Sequence, residues 1–469
     1  RVLEKLTLRE IARFCSARVP NPDPGAVITG VSTDSRSICE GMLFVPLIGE
    51  KFDGHDFIEQ ARAGGAAAVL SSRAGNEPGT LYVKDTLQAL HDIALGYRKR
   101  FRLKVTAVTG SVGKTTTKEM IASVLSEFAP TLKTEGNLNN LVGLPLSVLR
   151  IGKEHKAAVF EMGMNHFGEI SRMTRVCLPD IAVISNIGVA HIEHLGSREG
   201  ILRAKLEILE GLSRDGTVIL NGDEPLLWQL RGRLPYKTIF FGIENSHCEV
   251  TAKRIRPNGA DGMLFDIHMP IGTVEASLPA SGHHNVMNAL AAASVGMEFS
   301  KGNRSRQGQI DRCRLIVQGL SKFKNVAMRQ NILREKGFII IDDCYNANPD
   351  SMSAALSVLS SVETDGRRIA VLGDMLELGQ YSKEAHEKLG EEAAKAADHI
   401  LLFGAESENT LLGAIRSGKA TSEIHHFETR EELAAGLSEL AKPGDVILFK
   451  GSRAMKLEQV RDLFLEGKK

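Results

Sequence analysis

Thr109-Gly-Ser-Val-Gly-Lys-Thr-Thr-Thr117 brings together two glycines, one cation and a run of hydroxyls. It follows the apolar run 103–109 and opens a stretch in which Met120, Ile121, Val124 and Leu125 recur at the spacing of one helix face. A glycine turn between a strand and a helix is a phosphate cradle. Gly110 and Gly113 allow the N–H groups around Ser111 and Val112 to close on phosphate oxygens, and the helix N-terminus adds partial positive charge. In this frame Lys114 supplies the cation for the β- and γ-phosphates, Thr115 offers a hydroxyl to magnesium, and Thr116 completes the loop. The full GxxxxGK[ST] pattern is not met, because Val108 stands where the first glycine belongs. The loop is therefore shorter than the usual one. Its competing reading is a plain strand-to-helix turn with an exposed lysine, but Gly-Lys-Thr-Thr in this setting favours ATP.

Ligands of an open parallel sheet gather beyond the carboxyl ends of its strands, so residues just past neighbouring strands should face the same nucleotide. Those positions hold Glu161 after the run 156–160, and Asn186 followed by His191 after the run 181–185. A carboxylate beside a triphosphate suits oxygen-ligated magnesium, and a histidine can complete a second ion's shell. The alternatives are a solvated strand end for Glu161 and a hydrogen-bonding role for His191. The His191 and His194 pair lacks the further cysteine or histidine that zinc requires.

The elements that must position these groups are legible as a rhythm. Short apolar runs at 103–109, 157–160, 181–184 and 217–220, each followed by a helix-like stretch, predict a parallel sheet with helices on both faces. The rhythm breaks between about 245 and 330 and resumes at 337–341, 369–372, 400–403 and 446–449, which predicts a second sheet. Within the break, 249–253 and 263–268 read as antiparallel strands, 285–297 as an alanine-rich helix, and the hydrophilic segment 301–314 as a linker. The first 100 residues read as a smaller α/β unit with a helix at 7–15 and a β-like run at 66–70. The expected fold is thus α/β in three domains: an N-terminal unit over 1–100, a central P-loop ATPase domain over 101–314, and a C-terminal Rossmann-like domain over 315–469. A chain of 469 residues is too long for a single core and agrees with that division.

With 43% apolar residues, 25% charged residues and a formal net charge of +1, the chain has no general attraction for nucleic acid or anionic membrane. No apolar run is long enough for a membrane span, and the start of the chain lacks a signal-peptide core. Six scattered cysteines without a CxxC pair fit reduced thiols in a cytoplasm.

These residues resemble the Mur ligase family over nearly the whole chain. Residues 109–116 are similar to its short phosphate loop, and Glu161 with Asn186-Ile-Gly-Val-Ala-His191 to its magnesium-carrying motifs. Ala204-Lys-Leu-Glu-Ile208 resembles the segment holding a carbamylated lysine, which would be Lys205. Residues 282–290 resemble the adenine-contacting stretch, with Asn285 and Asn288 at the matching positions. Arg329 and Asp343 fall where the third domain would send an arginine to the phosphates and an aspartate to the nucleotide. Residues 342–352 and 371–379 resemble the branch of the family that adds D-alanyl-D-alanine. Ser32-Thr33-Asp34-Ser35-Arg36 is similar to the UDP-substrate domain, and 134–140, with Asn137 and Asn139, to that branch's substrate loop. Tyr345, Asn346 and Asn348 would then serve the substrates from the third domain.

The resemblance implies that ATP, with a pair of magnesium ions, phosphorylates the terminal carboxylate of a UDP-MurNAc-tripeptide. The amine of D-Ala-D-Ala then attacks the acyl phosphate. Lys114, Lys205, His191 and Arg329 would be the catalytic set, and Thr115, Glu161, His191 and Lys205 the metal ligands. The competing reading of Lys205 is an exposed lysine paired with Glu207 or Glu210. The implied enzyme is a cytoplasmic monomer with small-molecule partners. Its rivals are the third-residue-adding Mur enzyme, a folylpolyglutamate synthetase, and a P-loop switch that hydrolyses ATP without an acceptor.

Overall fold

Aliphatic runs with no polar face become the inner strands of parallel sheets, since only a sheet covered on both sides buries every residue of a strand. Ala157–Glu161, Ile181–Ile184 and Thr217–Asn221 are buried at every position, and Lys104–Thr109 at all but its first. The computed structural model that contains them describes residues 3–20, 26–189, 192–258, 262–302, 305–325 and 327–468.

The central sheet has nine strands. Lys104–Thr109 lies between Ile181–Ile184 and Ala157–Glu161, parallel to both, with Thr109 opposite Ile184 and Val108 opposite Glu161. This register brings Gly110, Glu161 and Ser185-Asn186 to one crest. Beyond Thr217–Asn221 and Lys237–Gly242, the strands Val250–Pro257, Met263–Met269 and Gly272–Leu278 extend the same sheet, the last two antiparallel. The break in the sequence rhythm is therefore a change of strand direction within one sheet.

The phosphate-loop helix, Lys114–Ser126, buries Met120, Ile121, Val124 and Leu125, and the alanine-rich helix His283–Phe299 packs against it. The segment read as a linker departs from expectation. Ser305 caps a helix, Arg306–Ser321, whose Cys313, Ile316 and Leu320 join the core beside the phosphate-loop helix. That helix runs through residue 314, the expected domain boundary. Its close approach depends on Gly319, where an added Cβ would lie 2.4 Å from Val124 Cα.

In the N-terminal region, Gly30–Ser32, Met42–Phe44, Ala68–Ser71 and Thr80–Tyr82 form a four-stranded parallel sheet. Thr7 and Glu10 close a capping box on helix Leu8–Phe14. Helix Thr86–Arg98 ties this region to the central sheet: Tyr97 Oη donates to Ile151 O at 2.7 Å and Arg98 Nε to Cys177 O at 2.9 Å.

The third sheet has six strands. Asn331–Glu335 runs antiparallel to Phe338–Asp342, and Val446–Lys450, Arg368–Gly373, His399–Phe403 and Ile424–Phe427 follow in parallel. The last strand in sequence, Val446–Lys450, lies between Phe338–Asp342 and Arg368–Gly373, so the strand order reverses there. Such a reversal opens a crevice at the strand ends. Among the described residues no helix is long and apolar enough to cross a membrane, and all six cysteines are free.

Candidate active site

The crest of the central sheet faces the crest of the third sheet across a cleft of about 550 Å³. Ser111 to Lys114, Thr116, Asn139, Glu161, Asn285 and Asn288 line it from one side, and Arg329, Asp343, Tyr345, Asn346 and Asn348 from the other.

One amide makes three of the hydrogen bonds that hold the phosphate loop, and Ser185 Oγ donates another to Val112 O at 3.2 Å. Asn186 Oδ1 accepts the N–H groups of Ser111 at 2.8 Å and Val112 at 2.9 Å, and its Nδ2 donates to Val112 O at 3.0 Å. Ser111 Oγ in turn accepts the N–H of Gly188 at 2.9 Å. The N–H groups expected to close on phosphate are thus partly used in shaping the loop, and the free first-turn N–H groups of Lys114, Thr115 and Thr116 remain for an anion. Glycine suits both turn positions. Gly113 has φ +74°, and a Cβ at Gly110 would lie 2.0 Å from Ser185 Oγ. Thr109 Oγ1 donates to Met162 O at 2.9 Å, fixing the strand end. Lys114 Nζ rests on Gly110 O at 2.9 Å; burial lowers its pKa, Glu161 opposes that shift, and Arg329 reinforces it.

Glu161 is buried, and its carboxylate accepts only neutral donors: Thr115 Oγ1 at 2.9 and 3.0 Å and Asn139 Nδ2 at 2.8 Å. No ion pair involves it among the described residues. A buried carboxylate and a hydroxyl in contact, with no ion pair in direct contact among the described residues, form an oxygen donor set that fits magnesium. Lys205, on helix Arg198–Leu206, is likewise buried, so the reading of an exposed lysine paired with Glu207 or Glu210 does not hold. Burial, with the like charge of Lys114 added, pushes its pKa well below the ordinary lysine value. His191 lies outside the described residues.

Asn285 and Asn288 occupy the first turns of helix His283–Phe299. Asn288 Oδ1 accepts from Thr117 Oγ1 at 3.0 Å and its Nδ2 donates to Asn285 Oδ1 at 3.2 Å. Across the cleft, the Arg329 guanidinium lies 4.1 Å from the centre of the Tyr345 ring, and Asp343 is buried. Asn348 caps helix Pro349–Ser361 through Ser351 N at 2.9 Å, while Asn346 is exposed.

Three profiles match the chain: "Mur ligase family, catalytic domain" over 27–109, "Mur ligase middle domain" over 108–296, and "Mur ligase, glutamate ligase domain" over 328–453. The UDP-N-acetylmuramoyl-tripeptide--D-alanyl-D-alanine ligase of Bacillus subtilis is 40% identical, with 98% of each chain covered. The chain belongs to the Mur ligase family. Among solved structures, MurF from Acinetobacter baumannii superposes with a TM-score of 0.88 at 34% identity, covering 99% of each chain. MurF ligase from Thermotoga maritima in complex with ADP gives 0.80 at 31%, covering 93% of this chain and 97% of that one.

Not every residue singled out from the sequence meets in the cleft. Ser32, Thr33, Asp34, Ser35 and Arg36 belong to the N-terminal region, outside the residues that line it. There Asp34 pairs with Arg36 at 2.8 Å, and Ser35 Oγ donates to Gln60 at 3.0 Å. Asn137 is exposed on the loop that leads to Asn139. Conversely, sequence reasoning gave no role to several residues that line the cleft, Gln330 and Lys450 among them. Lys450 had a signal, since it closes a parallel strand at the crest-forming end. Gln330 had none.

Proposed function

We infer that this member of the Mur ligase family joins D-alanyl-D-alanine to a UDP-MurNAc-tripeptide, converting ATP to ADP and phosphate. The observation that carries the inference is 40% identity to a D-alanyl-D-alanine ligase along 98% of both chains. A cleft with nucleotide-type chemistry on both walls agrees with it. In the reaction, a carboxylate oxygen of the tripeptide attacks the γ-phosphorus and ADP leaves. The amine nitrogen of D-Ala-D-Ala then attacks the acyl carbon, phosphate leaves, and the amine gives up a proton.

Phosphoryl transfer asks the protein chiefly for positioning and charge neutralisation. Lys114 and the first-turn N–H groups face the β- and γ-phosphates, Asn285 and Asn288 the base, and Asp343 the nucleoside. Arg329 reaches the transferred phosphoryl group from the opposite wall, braced by Tyr345. The bulk of the third domain keeps water from the acyl phosphate. Thr115 and Glu161 would hold magnesium, with His191 and the Lys205 carbamate as the further ligands that the family resemblance implies. When bound, the ion would supply Lewis-acid neutralisation of the phosphate oxygens. An uncharged amine is what carbon dioxide captures, and burial beside the like charge of Lys114 favours that form at Lys205. Residues 32–36 take the UDP end, Asn137 and Asn139 the peptide, and Tyr345, Asn346 and Asn348 the acceptor. We read the enzyme as cytoplasmic and monomeric, in three domains, with the central domain extended to include helix Arg306–Ser321.

Incubation with ATP, magnesium, UDP-MurNAc-tripeptide and D-Ala-D-Ala tests the inference by mass spectrometry. A UDP-MurNAc-pentapeptide is the expected product; ADP without a new peptide would exclude it.

A further inference from the structure

We propose that Lys450 is a positioning residue for ATP use: its buried ammonium holds the Asp343–Asn346 loop where Asp343 and Arg329 meet the nucleotide. The proposal rests on the reading of the cleft as an ATP site. Lys450 ends the strand at which the third sheet reverses order, and only 2% of it is exposed. Its ammonium donates to Asp343 Oδ2 at 2.7 Å, to Asn346 O at 3.2 Å and to Asp343 O at 3.4 Å. Three donors thus meet three acceptors of one loop. A buried ammonium is tolerated only when paired and hydrogen-bonded in this way, so the loop and the lysine fix each other.

The loop passes the constraint on. Asp343 Oδ1 accepts the N–H of Gln330 at 3.2 Å, and Tyr345 N donates to Met328 O at 3.1 Å, so the turn carrying Arg329 is laced to the loop on both sides of that arginine. Met328 and Gln330 both hold positive φ, +61° and +48°, a conformation that needs such fastening in residues other than glycine. Arg329 completes the unit by lying over the Tyr345 ring. From there the side chain of Gln330 crosses the cleft: its Oε1 accepts from His284 Nε2 and, at 3.3 Å, from Asn285 Nδ2. A connected path therefore runs from Lys450 through Asp343 and Gln330 to the central domain. A lysine that served only the core of the third domain would have no reason to face this cleft.

The test compares intact enzyme with Lys450→Met, which keeps chain length and removes charge, and with Lys450→Ala assayed with and without propylammonium. For Lys450→Met we expect a folded protein whose kcat/KM for ATP falls by about tenfold or more while KM for the tripeptide stays within about twofold. Propylammonium should restore turnover to Lys450→Ala. Kinetic constants for ATP within about twofold of the wild type, or equal losses toward all three substrates, would overturn the proposal. If Lys450→Met does not fold, the alanine variant decides: soluble enzyme without amine rescue also overturns it. Direct titration with ADP, which needs no acceptor, separates this outcome from a failure of the ligase reading, since wild-type enzyme must bind ADP for either variant to be informative.

Discussion

Replacing Asn186 with alanine removes the amide that shapes the phosphate loop and leaves the strands beneath it untouched. Three loop groups lose a partner: the N–H groups of Ser111 and Val112 and the carbonyl of Val112. A buried polar group left without a partner costs about 1–3 kcal/mol. The full sum does not apply here. Ser111 N keeps a second, longer contact to the backbone oxygen of residue 186 at 3.3 Å, Val112 O keeps Ser185 Oγ at 3.2 Å, and Val112 is only half-buried, so water replaces part of what is lost. About 2 kcal/mol is the net expectation, equivalent to roughly 30-fold in affinity. It should appear in nucleotide binding, because a loosened loop must be ordered again when phosphate binds. Equilibrium titration with ADP, beside a thermal melt of the free protein, reads both quantities. An ADP dissociation constant within about twofold of the wild type would refute the assignment of Asn186 as the loop's anchor.

Lys114→Ala should lower turnover by at least about 10²-fold with the fold retained, measured as phosphate release, since one preorganised charge is removed from the transferring phosphate. Arg329→Ala should reduce kcat more than it weakens ADP binding, because that arginine acts from the opposite wall; the comparison of kcat with the ADP titration checks it. Lys205→Ala should be nearly inactive and partly rescued by acetate, and wild-type enzyme given labelled carbon dioxide should show a carbamate resonance that the variant lacks.

The parts of this site that the sequence displays openly are those whose chemistry is local. Gly110, Gly113, Lys114 and Thr115 sit within one turn of a strand-to-helix joint, so residue type and order almost determine their geometry. Glu161 and Asn186 were reachable one step further, through the rule that strand ends share a crest. Helix Arg306–Ser321 was not legible as a helix, because polar Arg306, Gln307, Gln309, Asp311 and Arg314 outnumber a narrow stripe of Cys313, Ile316 and Leu320, and Gly308 and Gly319 read as breakers. Gly319 is instead a contact point for a neighbouring helix, a property that depends on where the partner lies. Lys450 was missed for a similar reason: a lysine at a strand end reads as solvated until its neighbours in the sheet are known. Asn348 lines the cleft, and its side chain is engaged as a helix cap, a double use that residue type does not reveal.

The account's central claim is that the cleft couples ATP to one particular acceptor. Its most direct test is the rate of phosphate release by the intact enzyme with magnesium, ATP and UDP-MurNAc-tripeptide as D-Ala-D-Ala, L-lysine or diaminopimelate is added in turn. Release should rise with D-Ala-D-Ala and stay at the basal rate with the other two. Stimulation by lysine or diaminopimelate, or a rate indifferent to every acceptor, would contradict it.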